Sequence, residues 1–304
     1  MSPSIEIRHL RYFLAVARTE NFTRAAEQLH VTQPNVSQQM KDLEKLLGTP
    51  LFQRLGKRIR LTNAGVAFQK NAEVVLRKLD EARDSVRDVA DRLTGHVEVG
   101  VIPALSLAWV PPALGALARD FPGLTVSVHQ RPSREIEIEV ETGRFDLGLG
   151  IVSHTSPNLR YRRMLTERLA LIVAADHALA RRRRLAVRDL ERVPLVVLQH
   201  VFDMRGLVDE MLRTAKVRGR VAFEIGTIDS TLQTVLAAGI PTILPPIVLK
   251  GRESFGLRAI QLAGRVEPIE FGFLTPRENE PSPAARKFIE YVEAAIAKPA
   301  RARK

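Results

Sequence analysis

The chain has 304 residues, 45% of them apolar, enough for one large domain or two smaller ones, each with its own core. Its formal net charge of +12 suits a polyanionic partner, a nucleic acid or an anionic membrane. It contains no cysteine, which excludes disulfide scaffolds, thiolate metal sites, iron–sulfur clusters and cysteine redox sensing.

The charge is uneven. Residues 1–60 hold ten Lys and Arg against five Asp and Glu, whereas residues 61–95 hold six of each, so the first segment carries the nucleic-acid signal. Glu6, Arg8, His9 and Arg11 break up Ile5 to Val16, which argues against a signal peptide. The longest apolar run, Leu236–Leu249, is short and interrupted by prolines. A cytoplasmic protein without membrane contact is expected.

Residues 7–18 place Leu10, Phe13, Leu14 and Ala17 on one helical face. Asn21 follows as an N-cap for a second helix with Ala25, Ala26 and Leu29 facing inward. His30-Val31-Thr32 leaves room only for a tight turn, and Pro34 suits the first turn of a third helix. Val36, Met40, Leu43, Leu46 and Leu47 form its apolar face, Ser37, Gln38 and Lys41 lie elsewhere, and Gly48 ends it. Two helices joined by so short a turn form a helix-turn-helix, whose second helix enters the major groove with its early side chains at the base edges. Gln38 can pair with an adenine edge, and Ser37 with a base or a phosphate.

In residues 51–62, Gly56-Lys57 marks a hairpin tip and Arg58-Ile59-Arg60-Leu61 alternates as a half-buried strand. Arg54, Lys57, Arg58 and Arg60 thus decorate a basic wing suited to phosphate or minor-groove contact. From Asn63 a long helix is expected to about Arg92, with a partly heptad-like seam through Val66, Val75, Leu79 and Val86. Such a helix pairs with a second copy or packs on its own chain. Pairing would space two recognition helices for a pseudo-palindromic operator.

The stretch IRHLRYFLAVARTENFTRAAEQLHVTQPNVSQQMKDLEKLLGTPLFQRLGKRIRLTNAG resembles the winged helix-turn-helix of LysR-type transcriptional regulators almost end to end, most specifically over AAEQLHVTQPNVSQQMKDLEKLLGTPLF. The resemblance implies a winged helix-turn-helix plus a long linker helix, then a two-lobed α/β effector domain like a periplasmic binding protein. The expected boundaries are 1–62 for DNA binding, 63–94 for the linker and dimerisation helix, 95–297 for the effector domain and 298–304 for a flexible basic tail. The resemblance also implies that Thr32, Gln33, Pro34, Ser37, Gln38 and Lys41 serve the recognition helix, and that Arg54, Lys57 and Arg58 touch DNA from the wing. A homodimer or homotetramer, double-stranded DNA and RNA polymerase are the implied partners. No metal or resident cofactor is implied, only a small-molecule effector.

Past Gly95, alternation predicts strands at residues 97–102, 124–128 and 145–150 with helices between them, then strands at 169–174, 195–198, 220–225, 242–244 and 270–274. Helices are expected near 204–214, 230–238 and 283–297. This order argues for a mainly parallel α/β architecture, with 270–274 returning to the first half and a cleft between the lobes.

Pro103, Ala104 and Ser106 open a helix after the first strand, where free N–H groups favour an anion. Relatives often carry Ser or Thr near Ala104, so Ser106 or the bare backbone must serve here. Ser133, Gly150, His200, Phe202, Arg205 and Thr227 complete the expected effector contacts. Arg205 either clamps a carboxylate or makes a surface pair, and His200 is either a ligand contact or a plain loop residue. The Phe202 to Arg205 spacing and TILPP at 242–246 resemble cyanate-operon-type regulators, and the implied effector is a small organic acid or anion.

Arg181–Arg184 reads as a solvated loop between a strand and a helix, or as a second nucleic-acid patch. No GxSxG, Walker loop, HExxH or dinucleotide fingerprint is present, so an enzyme is not expected. Asp146 stands where a strand begins and reads as a support of the fold. A purely structural DNA-binding protein would leave the large α/β half without a purpose.

Overall fold

The computed structural model describes residues 4–55, 58–87, 93–152, 156–251 and 256–297. The chain divides into two compact units, Met1–Asp91 and Arg92–Lys304.

The first unit holds α1 (Ile7–Thr19), α2 (Phe22–Gln28), α3 (Gln33–Leu47), β1 (Phe52–Leu55), β2 (Arg58–Leu61) and α4 (Asn63–Arg87). The Asn21 side chain accepts hydrogen bonds from the N–H groups of Thr23 and Arg24, which starts α2 as its sequence predicts. Gly48, at φ 68°, closes α3 in the left-handed region that glycine adopts at little cost. The Phe13 ring lies 5.3 Å from that of Phe52 and 4.9 Å from that of Phe68, tying α1, β1 and α4 together.

Two apolar faces differ from expectation. Ala15 and Val16 are buried on α1, whereas Leu14 and Ala17 are only partly covered. Because α1 packs against α2, α3 and α4, its buried face is wider than a single stripe. On α3, Val36, Met40 and Leu43 are buried, but Leu46 and Leu47 lie in the last turn and are half-buried.

The wing is antiparallel, pairing Phe52 with Leu61 and Leu55 with Arg58. It is tied down from both sides. Leu51 N–H and Phe52 N–H donate to Glu44 Oε1 at 2.7 and 3.1 Å, and Thr62 Oγ1 donates to Pro50 O at 2.8 Å. A Cβ at Gly65 would lie 2.1 Å from Leu51 O, so only glycine lets α4 start this close to the wing. The expected linker helix is described to Arg87; its remaining residues 88–92, the wing tip Gly56-Lys57 and the basic tail 298–304 lie outside the described residues.

The second unit contains two mixed sheets. The first is ordered β4 (Leu124–Gln130), β3 (Gly95–Val101), β5 (Leu147–Ile151), β13 (Ile269–Pro276) and β6 (Leu159–Glu167). It packs with α5 (Pro103–Ala108), α6 (Val110–Asp120), α7 (Ser133–Glu141) and α10 (Pro283–Ala297) as one lobe. The second sheet is ordered β10 (Arg220–Ile225), β9 (Pro194–Leu198), β11 (Thr242–Leu244), β7 (Ala170–Ala174), β12 (Leu257–Ala263) and β8 (Arg184–Ala186). With α8 (Asp203–Thr214) and α9 (Ile228–Ala238) it forms the other lobe. The chain leaves the first lobe after β6 and returns to it through β13.

The expected parallel core is present, because β3 runs parallel to β4 and β5, and β9 to β10 and β11. It is not the whole: β13 is antiparallel to β5 and β6, and β7 to β11 and β12. A strand that comes back from the other lobe enters from the opposite end. Three strands escape the sequence pattern: β6, β8 and β12. In β6 only Leu159 is fully buried among polar neighbours, which hides its alternation. Arg181–Arg184 is not a loop leading to a helix; Arg181 ends a 3₁₀ turn and Arg184 opens β8, all four exposed.

Candidate nucleic-acid interface and effector cleft

Thr32 stands at the N-cap of α3, and its carbonyl accepts the N–H groups of Asn35 and Val36. No acidic residue occupies the first turn of α3, which leaves its positive end open to a phosphate. Gln33, Pro34, Gln38 and Lys41 are exposed and Ser37 is half-buried. Val36 and Met40 anchor the opposite face in the core. Gln38 Nε2 donates to Asp42 Oδ1 at 2.9 Å, one turn on. That bond uses one amide hydrogen and orients the group, leaving the second hydrogen and the carbonyl oxygen, the pair that reads an adenine edge. Arg54 lies on β1, where it pairs with Ile59, and Arg58 lies on β2, where it pairs with Leu55.

In the second unit, helix starts from both lobes meet. Ile102, Pro103 and Ala104 begin α5, Pro132 caps α7, Phe202, Asp203 and Met204 begin α8, and Ile228 begins α9. Together with Ile151 and Leu198 they line an inner chamber of about 20 Å³, nearly all apolar. Pro103, Pro132, Phe202 and Ile228 also line an outer mouth of about 510 Å³, joined there by Gln130, Arg131 and Thr227. The chamber as it stands holds little more than one water, and the mouth has the size of a small-molecule site. Four helix starts face it, and three of them carry an acid in the first turn: Glu135 on α7, Asp203 on α8 and Asp229 on α9.

Residues 90–297 match the family model described as the LysR substrate binding domain, and residues 7–66 match the bacterial regulatory helix-turn-helix protein of the lysR family. The chain belongs to the LysR family. It is 27% identical over 295 residues to the Hca operon transcriptional activator HcaR of Escherichia coli, covering 96% of this chain and 99% of that one. Full-length CbnR in complex with its target DNA superposes with a TM-score of 0.74 at 25% identity, covering 96% of this chain and all of that one. A full-length OxyR variant from Pseudomonas aeruginosa shares the fold, with a TM-score of 0.72 at 21% identity over 97% of this chain and 95% of that one.

The chain is therefore a LysR-type DNA-binding regulator with an effector-binding cleft, and not an enzyme. Among the described residues no helix is long and apolar enough to cross a membrane, and no group of three His, Asp or Glu could hold a metal ion.

The LysR cleft brings together part of the expected effector set. Pro103, Ala104 and Phe202 line the chamber, and Thr227 lines the mouth while its hydroxyl caps α9 by accepting the N–H of Ser230. Ser133 is buried at the start of α7. Gly150 adjoins it: a Cβ there would lie 3.8 Å from Ser133 Oγ. Neither Ser133 nor Gly150 is part of the lining, and three others also stand apart from it. Ser106 Oγ accepts a bond from Gln130 Nε2 at 3.0 Å. His200 is exposed, with Nδ1 3.6 Å from Asp209 Oδ2. Arg205 is buried; its Nε donates to both Asp209 oxygens and its Nη1 to Leu198 O and Glu224 Oε2. That buried brace is not the exposed surface pair the helix pattern suggests, and it engages the guanidinium with its own chain.

Sequence reasoning placed the turn that begins at Ile102 in the cleft but missed Asp203, Pro132 and Ile228. For Asp203 a signal exists: an acid in the first turn of an expected helix. The others are apolar residues at element ends, which nothing in the sequence distinguishes from core.

On the other face of β3, Glu98 lies between two imidazoles, with Oε1 2.7 Å from His96 Nε2 and Oε2 2.6 Å from His129 Nε2. Burial pushes the Glu98 carboxyl up, but hydrogen bonds and charge from His96 and His129 outweigh it and hold the group below the ordinary carboxylate range. Asp146 supports the same strand: its Oδ2 accepts the N–H of Glu98 at 2.8 Å, and its own N–H donates to Glu98 O.

Proposed function

We propose that the protein recognises a specific, pseudo-palindromic operator as a self-associated regulator, and that a small molecule in the inter-lobe cleft alters its geometry on promoter DNA. The observation that carries this reading is the exposed row on α3, where Gln33, Gln38 and Lys41 share an uncovered surface and Asp42 orients the Gln38 amide. Bases are read through Gln38 and Ser37. Arg54, Lys57 and Arg58 hold phosphates, which fixes register and carries the salt dependence.

Self-association is supported by apolar side chains left uncovered. Val66 and Val75 are exposed on α4, and Val221 and Phe223 are exposed on β10, an edge strand. A paired α4 would deliver two recognition helices to two half-sites. Contact with RNA polymerase and a cytoplasmic location follow from the same regulatory role, and the relative HcaR is named a transcriptional activator.

In the cleft, Pro103, Ala104, Ser133, Gly150, Phe202 and Thr227 would meet the effector, a small organic acid or anion drawn by the converging helix starts. Arg205 acts as a positioning residue that holds the start of α8 against β9 and β10. Ser106 and His200 contribute less directly, from the rim.

Genome-wide capture of DNA fragments by the purified protein tests this, repeated with pools of small organic acids. Enrichment of a few promoters, with a footprint that changes on adding one pool, is expected. Uniform capture of all fragments would overturn the reading.

A further inference from the structure

One helix start at the cleft already holds an anion. The Ser133 N–H, free at the first position of α7, donates to Asp203 Oδ2 at 3.0 Å. Ser133 belongs to one lobe and Asp203 to the other, so this single bond spans the cleft. Two further facts single out the position. The Ser133 residue is only 7% exposed, and its hydroxyl is buried without a hydrogen-bond partner among the described residues. That donor stands unused beside a helix start, near Gly150. Asp203 itself is exposed to solvent.

Of the helices that begin at the cleft, α5 has no acid in its first turn, and the first-turn acids of α7 and α9 are Glu135 and Asp229. Both of these line the outer mouth, whereas Asp203 lines the inner chamber. Among the described residues, Asp203 is thus the one acidic side chain in the lining of that chamber.

We infer that Asp203 is a built-in competitor for the cleft's anion position: it holds the lobes together in the effector-free protein, and an anionic effector binds only by displacing it from Ser133. This rests on the cleft being the effector site. It deepens that reading by stating what an incoming carboxylate must do and why lobe geometry responds to it. A carboxylate that takes the Ser133 N–H and hydroxyl breaks the bond between lobes; a neutral ligand leaves it intact. Ligand charge is thereby converted into lobe movement, and weak anions are rejected because their affinity is reduced by the fraction of clasp that is open.

The test uses the full-length protein and sodium acetate at constant ionic strength, with binding read by saturation-transfer NMR. Asp203→Ala is expected to bind acetate about ten- to a hundredfold more tightly than the wild type, the range set by losing a charged competitor for one hydrogen-bonded position. Asp203→Asn keeps size and an acceptor oxygen, and is expected to show a smaller gain in the same direction; it carries the test should the alanine variant not fold. Adding Ser133→Ala to Asp203→Ala is expected to abolish the gain, which places the acetate at α7. Equal acetate affinity in wild type and folded Asp203 variants, or a gain that survives loss of the Ser133 hydroxyl unchanged, would overturn the inference. Operator capture by the wild type is scored separately: intact capture without an acetate gain removes this inference alone, and an acetate gain without specific capture removes the regulatory reading alone.

Discussion

The recognition helix and the effector cleft are built in opposite ways. Thr32, Gln33, Gln38 and Lys41 lie within ten consecutive residues of one turn and one helix, so helix geometry alone puts them on a common surface. The cleft takes Ile102, Pro132, Asp203 and Ile228 from four helix starts on two lobes, and nothing local relates them. A site made by one element is robust to how the rest of the chain packs. A site made by closure depends on every brace that holds those starts in place, and can be moved by a ligand for the same reason.

The largest effect that would sharpen this contrast is expected from Arg205→Ala. It removes a buried cation and leaves Asp209 and Glu224 facing a void; because both carboxylates are about half-exposed, the cost is nearer about 3 kcal/mol than the top of the range for a broken buried pair. Chemical denaturation should show the loss in the effector domain, with specific operator affinity unchanged at temperatures where the domain stays folded. Equal stability in the variant would mean the brace is not what positions α8.

Next, Gly65→Ala should destabilise the DNA-binding unit by about 2–3 kcal/mol, through overpacking against the Leu51 carbonyl. A thermal scan that resolves the two units would locate the loss. An unshifted first transition would show that the junction of wing and linker yields easily.

Gln38→Ala is expected to weaken operator binding by about 1–2 kcal/mol while binding to random DNA is kept. Asp42→Ala, which frees the Gln38 amide without deleting it, should cost less than about 1 kcal/mol on the operator alone. Parallel losses on both DNAs would assign these residues to the phosphates instead.

The smallest effect concerns pH. The Glu98 carboxyl is held below its ordinary range in the folded chain, so its contribution is present above the unfolded value and is lost as pH falls through the folded one. Glu98→Gln should therefore lower effector-domain stability slightly near neutrality and flatten its acid limb, so that the difference from the wild type shrinks as pH falls below about 4.5. Identical acid limbs would show that the His96–Glu98–His129 cluster does not contribute.

Much of the fold was legible. The caps Asn21 and Gly48 and the closing helix α10 follow from local chemistry, and β13 was placed in the first lobe by its position after the second. Arg205 was misjudged because helical periodicity reports a face and says nothing of the strand that covers it. β6 was missed because a strand with one fully buried side chain leaves almost no alternation to read. The wing's anchors, Glu44 and Thr62, are ordinary polar residues until the chain folds back to place Leu51, Phe52 and Pro50 beside them.

By itself the sequence determined that this chain has a basic helix-turn-helix with a wing, a linker helix and an α/β effector half, because each is written in short-range spacing of apolar, capping and charged residues. Only the tertiary structure decided that Arg205 turns inward and that Asp203 meets Ser133 across the cleft. Those contacts join residues from separate strand–helix units, and their partners are set by how two sheets close on each other, which no local pattern encodes.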